Sequence, residues 1–353
     1  MSVLSIDIGT SHCTVIEGSI KKGVVEIIRV ATGDLPPEQA IDGKNIAPAA
    51  ASDVISELIT KNKFKSKKAT VTVNTGNMML RDIHLPKAKP KQLAGMVRNE
   101  MIQNHLAASD DIMQFIVKPS SEKKAEGKSK KKDDVTEDIR AVAVKPETIE
   151  SYHHAVKKLK LTPSIMDFHT NAVDKLVRGE LYINKISMKD KAYLLVDFGS
   201  TGTLAHAVYD NGVYTSRYFP LGTKDLDGLV ADREFLNHEQ AKEYRLQTMN
   251  LLMEEEIPSG AMSAARNFLF QWNEQLQNLI RYFMPRKNIT SLDGIFIFGI
   301  GSLIKGLPEY VTASSGVESS RCEEISKIRF KNANDEGQLF NCLNAAGAIF
   351  RLK

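Results

Sequence analysis

The sequence predicts a mixed α/β protein built from two related halves. An apolar strand near the start, within LSIDIGTSHCTVIEG at 4–18, ends in Asp7 and is followed by a glycine and small hydroxyl residues. The same arrangement returns in LLVDFGSTGT at 194–203, where Asp197 follows Asp7 at an offset of 190 residues. At 353 residues the chain is too long for one ordinary core. A repeated unit that opens two halves of similar length indicates a duplicated, two-lobe fold.

The first half is predicted to begin with this unit, in which a strand, a hydroxyl-rich turn and two further strands follow one another. Helical periodicity then predicts a helix at 49–62, with Ser52 or Asp53 as its N-cap. Strict alternation of apolar and polar residues in KATVTVNT predicts a strand at 68–75. Strands and a helix in this order are those of an α/β lobe.

A small group of elements follows within the first half. An amphipathic helix is predicted at 89–106, strands at 111–118 and 138–145, and a helix at 146–161 that Pro146 opens. The two strands flank a lysine-rich stretch, so this stretch is predicted to be the tip of a long hairpin.

The lysine-rich stretch holds most of the net charge of +4. Between Lys118 and Asp134 there are seven lysines and four acidic residues. With almost no apolar side chain to bury, a solvated and disordered loop at 118–137 is the preferred interpretation. Contact with anionic lipid or nucleic acid is the alternative, although no arginine or aromatic residue is interleaved for base stacking.

The second half repeats the unit and ends in helices. Its turn, DNG at 210–212, favours a hairpin because Asn-Gly supplies the positive φ angles of a type I′ turn. A long helix is predicted at 263–285, and LDGIFIFGIGSLIKGLPEYV at 292–311 is predicted to be a buried strand, a glycine turn and a helix. The segment 339–352 is predicted to be a closing helix that belongs to the second half.

The composition excludes several classes of protein. No apolar run approaches the roughly 20 residues of a membrane-spanning helix, and the first residues lack the features of a signal peptide. The three cysteines match no zinc spacing and suit a reducing compartment. We therefore expect a cytoplasmic protein that binds no nucleic acid.

The two repeated turns are suited to phosphate and a divalent cation. A glycine turn between strands presents backbone N–H groups and hydroxyls in a concave nest that accommodates phosphate oxygens. The preceding carboxylates, Asp7 and Asp197, would then hold Mg²⁺ directly or through water. A single turn of this kind is more often only a capped strand end, but its duplication favours two phosphate turns that face each other across a cleft.

A third glycine turn follows the strand at 292–298. In IFGIGSLIKGL, Gly299 and Gly301 would permit the close approach of an adenine or its ribose. The sequence is neither the dinucleotide fingerprint nor a P-loop, and neither pattern explains the other two turns. The prediction of a nucleotide site therefore rests on the order in which the three turns occur.

This order resembles that of the actin-like ATPase superfamily, in which a phosphate-1, a phosphate-2 and an adenosine motif occur in sequence over nearly the whole chain. Within it the sequence is most similar to the PilM type IV pilus assembly proteins, with FtsA as a close relative. The segment PSIMDFHTNAVDKLV at 163–177 resembles the PilM strand and helix that return to the first lobe. The helix EQLQNLIRYF at 274–283 resembles one that contributes to the nucleotide pocket.

The resemblance implies an actin-like (ribonuclease H-like) fold with an inserted subdomain of the 1C type. The first lobe (1A) would comprise 1–86 and resume at 161–190, and the inserted subdomain would be 87–160. The second lobe would be 191–353, with its 2B part at roughly 224–285.

The resemblance also implies a set of nucleotide-binding residues on the three turns and the long helix. They are Asp7, Gly9, Thr10, Ser11, Thr14, Asp197, Gly199, Ser200, Thr201, Gly202, Glu274, Gln277, Gly299, Gly301 and Ser302. Thr14 stands where these families usually have a lysine, and Gln277 where they have an arginine. Gly202 and Leu204 replace more polar residues. Because the loss of a lysine near a triphosphate removes a charge-assisted contact, we expect ATP binding with at most weak hydrolysis.

The implied function is that of an ATP- and Mg²⁺-binding protein of a pilus, type II secretion or competence machine. It would bind the cytoplasmic N-terminal tail of a PilN-like membrane protein at the inserted subdomain, reach the membrane only through that partner, and have the capacity to self-associate. Two alternatives stay open: an FtsA-like filament-forming division protein, and a sugar or acetate kinase of the same fold. Asp167 is either a catalytic base or, preferably, a helix cap or turn residue.

Overall fold

The computed structural model describes most of the chain, in the ranges 2–35, 48–73, 78–118, 136–253 and 259–350. The lysine-rich loop predicted at 118–137 therefore falls almost wholly outside the described residues.

The first lobe is built on a six-stranded sheet. Its order is β16-β3-β2-β1-β4-β8. The strands are β1 (Val3–Ile8), β2 (His12–Lys21), β3 (Val24–Asp34), β4 (Lys68–Val73), β8 (Thr162–Phe168) and β16 (Ile328–Phe330). Helices α1 (Pro48–Lys61) and α3 (Pro146–Lys158) pack against each other on this lobe. Between sheet and helices lies a core that includes Ile6, Val15, Ile55 and Tyr152.

The second lobe repeats this sheet and confirms the predicted duplication. Its order is β13-β12-β11-β14-β15. The strands are β11 (Tyr193–Phe198), β12 (Thr203–Tyr209), β13 (Gly212–Phe219), β14 (Gly294–Phe298) and β15 (Ser319–Arg321). In both lobes the first strand pairs antiparallel with the second strand and parallel with the fourth. The α/β two-lobe architecture is therefore confirmed.

The helices of the second lobe cover the outer face of its sheet. They are α5 (Thr223–Glu234), α6 (His238–Gln247), α7 (Gly260–Arg286) and α8 (Leu307–Ser315). The long helix α7 buries the apolar positions that its periodicity predicts, including Leu269, Trp272 and Leu276. Trp272 is fully buried against Phe198 of β11, with ring centroids 4.7 Å apart, so it is a core residue. A two-stranded ribbon of β9 (Tyr182–Ile183) and β10 (Ile186–Ser187) joins the lobes along the chain.

The inserted subdomain is a separate three-stranded sheet with its own core. Its order is β5-β7-β6, and α2 (Pro90–Gln103) lies on one face. The strands are β5 (Met79–Pro86), β6 (Ile112–Val117) and β7 (Thr136–Val144). Since β5 belongs to this sheet and α3 packs on the first lobe, we now place the subdomain at 79–144 rather than at 87–160. The apolar side of α2 at Leu93, Val97 and Met101 faces this core.

Two helices, which we call the exchanged helices, pack against the lobe other than the one whose sheet precedes them in the chain. α4 (His169–Val177) follows the first sheet and contacts β13 of the second lobe, whereas α9 (Leu339–Ile349) follows the second sheet and lies on β1 and β2 of the first. The prediction that the closing helix serves the second half is therefore wrong: its apolar face lies mainly on the sheet of the first lobe. Among the described residues, no helix has both the length and the apolar content to cross a membrane.

Candidate functional site between the lobes

The two repeated turns have the same geometry and meet across the cleft. The N–H of Gly9 donates to the carbonyl oxygen of His12 at 2.9 Å, and the N–H of Gly199 donates to that of Gly202 at 3.0 Å. A Cβ at Gly9 would lie 2.8 Å from the His12 oxygen, so the tight turn itself requires glycine. The hydroxyl of Thr201 donates to that of Thr10 at 3.0 Å and joins the two turns.

These turns line a small cavity of about 60 Å³ between the lobes. Nine of the residues predicted to bind the nucleotide line it. They are Asp7, Gly9, Thr10, Asp197, Gly199, Ser200, Thr201, Gly202 and Gly299. The duplicated motif thus brings both carboxylates and both hydroxyl turns onto one space.

Asp7 is held by the first residue of α4. His169 Nε2 lies 2.8 Å from Asp7 Oδ1, and the Thr72 hydroxyl donates to the same oxygen at 2.7 Å. Burial would raise the pKa of Asp7, but the charge of His169 and these hydrogen bonds outweigh burial and leave the pKa below its usual value. The His169 pKa is correspondingly raised, since Asp7 outweighs the burial that would lower it.

Asp197 is held by a residue of α9, the helix that follows the second sheet and lies on the first. The side-chain amide of Asn344 on α9 donates to Asp197 Oδ2 at 2.8 Å. His169 Nδ1 is 4.0 Å from that carboxylate, so one imidazole lies between the two acids. Burial raises the pKa of Asp197, and His169 and Asn344 offset this rise only in part.

The third glycine turn contributes one of its two glycines to the cavity. Gly299 has φ +82°, and a Cβ there would lie 2.5 Å from Asp197 Oδ1. Gly301 lies against the ring of Phe198 instead, where a Cβ would come within 2.2 Å. The Ser302 hydroxyl donates to the Gly299 carbonyl at 2.6 Å and so supports the turn from behind the cavity.

Four further predicted residues also lie outside the cavity lining. Thr14 is buried in the ladder opposite Asp7, and its hydroxyl is 3.4 Å from that of Thr32. Ser11 contacts the ring of its neighbour His12. Glu274 on α7 faces Arg281 at 3.7 Å, and Gln277 is one turn further along the same helix. α7 itself packs mainly within the second lobe, which keeps this face away from the two phosphate turns.

Several lining residues were not predicted from the sequence. They are His12, His169, Leu204, Tyr218, Ile300, Phe340, Asn341 and Asn344. His169 and Asn344 hold the two aspartates, yet each lies at a helix position with no local motif. No local sequence signal could have found them, because α4 and α9 reach the two aspartates only through long-range packing.

Asp167 has a structural role. Its carboxylate accepts from the N–H of Phe168 at 2.9 Å and from the amide of Asn171 at 2.7 Å, and it is paired with Lys175. These contacts fix the first turn of α4, as the preferred interpretation of this residue predicts.

The donors around the cavity suit a hydrated hard cation and phosphate. Carboxylate, hydroxyl and amide oxygens predominate, and the Oδ1 atoms of Asn341 and Asn344 are buried without a hydrogen-bond partner. In the part of the chain that the structure describes, no three His, Cys, Asp or Glu side chains form a complete metal cluster. The unpartnered amide oxygens beside two carboxylates fit Mg²⁺, which usually takes one or two carboxylates and completes its shell with water and phosphate.

The two lobes are in direct contact beside this space. Ligand sites typically enclose ~300–1,000 Å³, so about 60 Å³ is too small for a nucleotide. Besides the Thr201–Thr10 bond, Lys242 of α6 pairs with Asp34 at the end of β3 at 2.9 Å. Both contacts join the first lobe to the second.

A second cavity of about 570 Å³ lies beside the inserted subdomain. It is lined by 80–84 of β5, by Lys118 and Asp138 at one end of the β6–β7 pair, by Asp174, Arg178 and Gly179 at the end of α4, by 209–216 around the β12–β13 turn, and by Tyr282 and Lys287. We call it the groove. Its volume is in the range of ligand sites, and its walls come from both lobes as well as the insertion.

Two lobes whose sheets share one strand order, a glycine and hydroxyl turn in each lobe, and a cavity between the two turns are the features of an actin-like fold. Among solved structures, a PilM–PilN type IV pilus biogenesis complex is similar over 99% of this chain and 98% of that chain, with a TM-score of 0.79 and 18% identity. The ethanolamine utilization protein EutJ from Carboxydothermus hydrogenoformans matches with a TM-score of 0.55 and 11% identity, over 99% of this chain and 90% of that chain. MreB5 of Spiroplasma citri bound to ADP matches with a TM-score of 0.52 and 10% identity, over 98% of this chain and 94% of that chain.

Residues 5–346 match the type IV pilus assembly protein PilM family, and the chain belongs to that family. No curated protein matches the sequence significantly. Membership of this family disfavours both alternatives from the sequence, the FtsA-like division protein and the small-molecule kinase.

Proposed function

We propose that the chain binds ATP with Mg²⁺ between its lobes and binds the N-terminal tail of a PilN-like membrane protein in the groove. The observation that carries the first part is the meeting of Asp7 and Asp197, each before a glycine turn, on one cavity. Asp7 and Asp197 would hold the cation, and the N–H groups and hydroxyls of the two turns would bind phosphate oxygens. The cation supplies charge compensation for the phosphates.

Hydrolysis is expected to be slow. No lysine or arginine lines the cavity among the described residues, so a developing phosphate charge would meet only His12 and His169. We therefore assign nucleotide binding a conformational role, in which separation and closure of the lobes set the position of the inserted subdomain.

Nucleotide binding is tested by titrating fluorescent ATP and ADP analogues with and without Mg²⁺. Asp7→Ala and Asp197→Ala are expected to weaken Mg²⁺-dependent binding about tenfold or more, since charge-assisted contacts contribute ~1.5–3 kcal/mol. Asp53→Ala is the matched control, because Asp53 is exposed on α1 and pairs only with Lys158 among its described contacts. Absence of nucleotide binding by the unsubstituted protein, or equal binding by all variants, would overturn this part.

The second part rests on the groove and on family membership. The complex with the highest similarity reported above contains PilN, and the groove borders the free edge of β5. The backbone N–H of Lys118 donates to the backbone carbonyl oxygen of Asp138, so these two residues form a hydrogen-bonded pair. This pair shows which alternate residues of β6 and β7 bond to each other. By alternation, the backbone groups of Leu80, Asp82 and His84 point away from β7. An extended peptide tail would add to this edge as a strand and place side chains in the groove.

A peptide with the sequence of the partner's cytoplasmic N-terminus tests this part by fluorescence anisotropy. His84→Pro removes an outward N–H without breaking the β5–β7 ladder, and is expected to weaken binding at least about tenfold. His84→Ala retains the N–H and is the matched control. If the peptide did not bind at all, the proposal of a PilN-like partner would be wrong. Equal binding by both variants would exclude only the addition of the peptide as a strand.

The same elements line both sites. α4 carries His169 at the cavity and Asp174 at the groove, and the β12–β13 hairpin carries Leu204 at the first and Val213 at the second. A change of lobe separation would therefore reach the groove through two rigid elements. We place the protein in the cytoplasm, at the inner face of the membrane through its partner.

A further inference from the structure

The outer edge of β6 is open in the structure. β6 ends the β5-β7-β6 order, and no other strand in the described ranges pairs with it. Since Lys118 bonds to Asp138 of β7, the residues of β6 at even positions bond to β7. The N–H and C=O groups of Met113, Phe115 and Val117 therefore point outward.

The described strand at this edge lacks the residue types that usually prevent strand addition. The strand IMQFIV, Ile112–Val117, contains no charge, proline or glycine. Its end residues Ile112 and Val117 are 38% and 43% exposed. Native edges of this kind are normally covered, charged or interrupted, so the strand is suited to pair with another strand.

The partner peptide does not account for this edge. β5 and β6 are opposite edges of one sheet. The groove is lined by five residues of β5 and by no residue of β6, although Lys118, which follows β6, reaches it. A peptide added to β5 leaves β6 open. The occupant must be an uncharged, apolar, extended strand whose outward groups have the matching phase.

We propose that this occupant is β6 of a second copy of the chain, paired antiparallel about a two-fold axis at Phe115. The register places Phe115 opposite its own copy and Met113 opposite Val117, so outward groups meet outward groups. All three pairs are apolar, and cross-strand aromatic pairs are among the favourable ones. The two subdomains would then form one six-stranded sheet.

The charges at the ends of the strand agree with an antiparallel arrangement. β6 follows Asp110 and Asp111 and ends before Lys118. Within one copy Asp111 already pairs with Lys145 and Lys118 with Asp82, so these charges set the direction of pairing through the overall charge distribution and not through new ion pairs. Antiparallel pairing places the acidic start of one strand beside the basic end of the other, whereas parallel pairing would place like charges together. This proposal goes beyond the proposed function, since it needs neither nucleotide nor peptide.

A cysteine at the axis tests the register. Phe115→Cys places two thiols at a directly paired position, where Cα atoms are ~5.5 Å apart and within disulfide reach. In Gln114→Cys, the matched control, the two cysteines are diagonal and beyond the ~7 Å limit. The native cysteines are buried, at 0–1% exposure, so they do not compete. Mild oxidation should give a covalent dimer with Phe115→Cys and not with Gln114→Cys.

A charge on the edge tests the association itself. Full-length protein at tens of micromolar is expected to be dimeric by light scattering coupled to gel filtration, and Val117→Lys at least about tenfold weaker in self-association. Circular dichroism checks that the variant is folded. A monomer at all concentrations, or a dimer that Phe115→Cys does not trap, would overturn the proposal. A dimer trapped equally by both cysteine variants would overturn the register.

Discussion

Arg140 of the inserted sheet donates a hydrogen bond to the carbonyl oxygen of Val213 in the second lobe, at 2.8 Å. Arg140 is 2% exposed, and its Nε pairs with Asp82 of β5 at 3.0 Å. The N–H of Val213 in turn donates to Asp174 of α4 at 2.8 Å. One pair of residues thus connects the insertion, the hairpin and the exchanged helix around the groove.

Replacing Arg140 by methionine should separate these elements. The substitution removes the hydrogen bond to the buried carbonyl oxygen of Val213 and one of the two cations that pair with Asp82, which keeps Lys118 at 2.7 Å. The free energy of unfolding is expected to fall by about 1–3 kcal/mol. Affinity for the partner peptide should fall with it. Chemical unfolding and peptide titration measure both effects. For the free energy of unfolding, Arg81→Met is the control, because Arg81 is exposed and donates to the carbonyl of Leu80; a loss of stability as large in this variant would contradict the assignment to Arg140.

Gly347 marks the closest approach of the two exchanged helices. A Cβ at Gly347 of α9 would lie 2.3 Å from the carbonyl oxygen of Ala172 on α4. Gly347→Ala should therefore force the helices apart, lower the free energy of unfolding by about 1–3 kcal/mol, and weaken nucleotide binding, since His169 and Asn344 are carried on these helices.

The control for this substitution is Gly228→Ala in the middle of α5. A Cβ there meets nothing within 4 Å, so alanine should stabilise the helix by about 0.5–1 kcal/mol. Thermal unfolding compares the two variants directly. Equal stabilities would show that the helix crossing tolerates the methyl group.

Local pattern was sufficient to predict the duplicated fold. The Asp-x-Gly turns at 7–9 and 197–199 are short-range features, and their strands follow from alternation and from the DNG turn. The boundaries of the insertion were less predictable, since β5 reads like any strand that continues a lobe. Which sheet a helix packs on is a long-range property, and the apolar face of α9 does not specify it.

About half of the residues that line the cavity between the lobes were predictable, because they lie in short local motifs. The turns carry their own glycines and hydroxyls, but the partners of their aspartates come from far along the chain. His169 is 162 residues from Asp7, and Asn344 is 147 residues from Asp197. Gly301 lies outside the cavity lining and against Phe198, and a glycine needed for such packing has the same sequence appearance as one that faces a ligand.

The native thiols should be unreactive in the folded protein. Burial raises the pKa of Cys13 and of Cys322 to about 12, and it also raises the pKa of Cys342. The nucleophilic thiolate is therefore scarce at neutral pH. A disulfide exchange reagent at pH 8 should label none of the three quickly, and all three in denaturant. Rapid labelling of one thiol without denaturant would show that its surroundings open.

His206 should make the protein sensitive to acid. It is fully buried on β12 with Nδ1 2.8 Å from the Ser216 hydroxyl, and burial, aided by the charge of Arg140, lowers its pKa to about 3. Between this value and the ~6.5 of an unfolded histidine, only the unfolded chain takes up the proton. Stability therefore rises with pH across this window and falls on acidification, by up to about 1.4 kcal/mol per pH unit from this group.

His206→Gln removes the titrating group and retains a polar side chain near Ser216. Urea unfolding between pH 5 and 7.5 should show a smaller loss of free energy on acidification than in the unsubstituted protein. The exposed His153→Gln is the matched control and should keep the original slope. Parallel slopes for all three proteins would mean that the imidazole of His206 accepts a proton without unfolding, because linkage requires a difference in proton uptake between the two states.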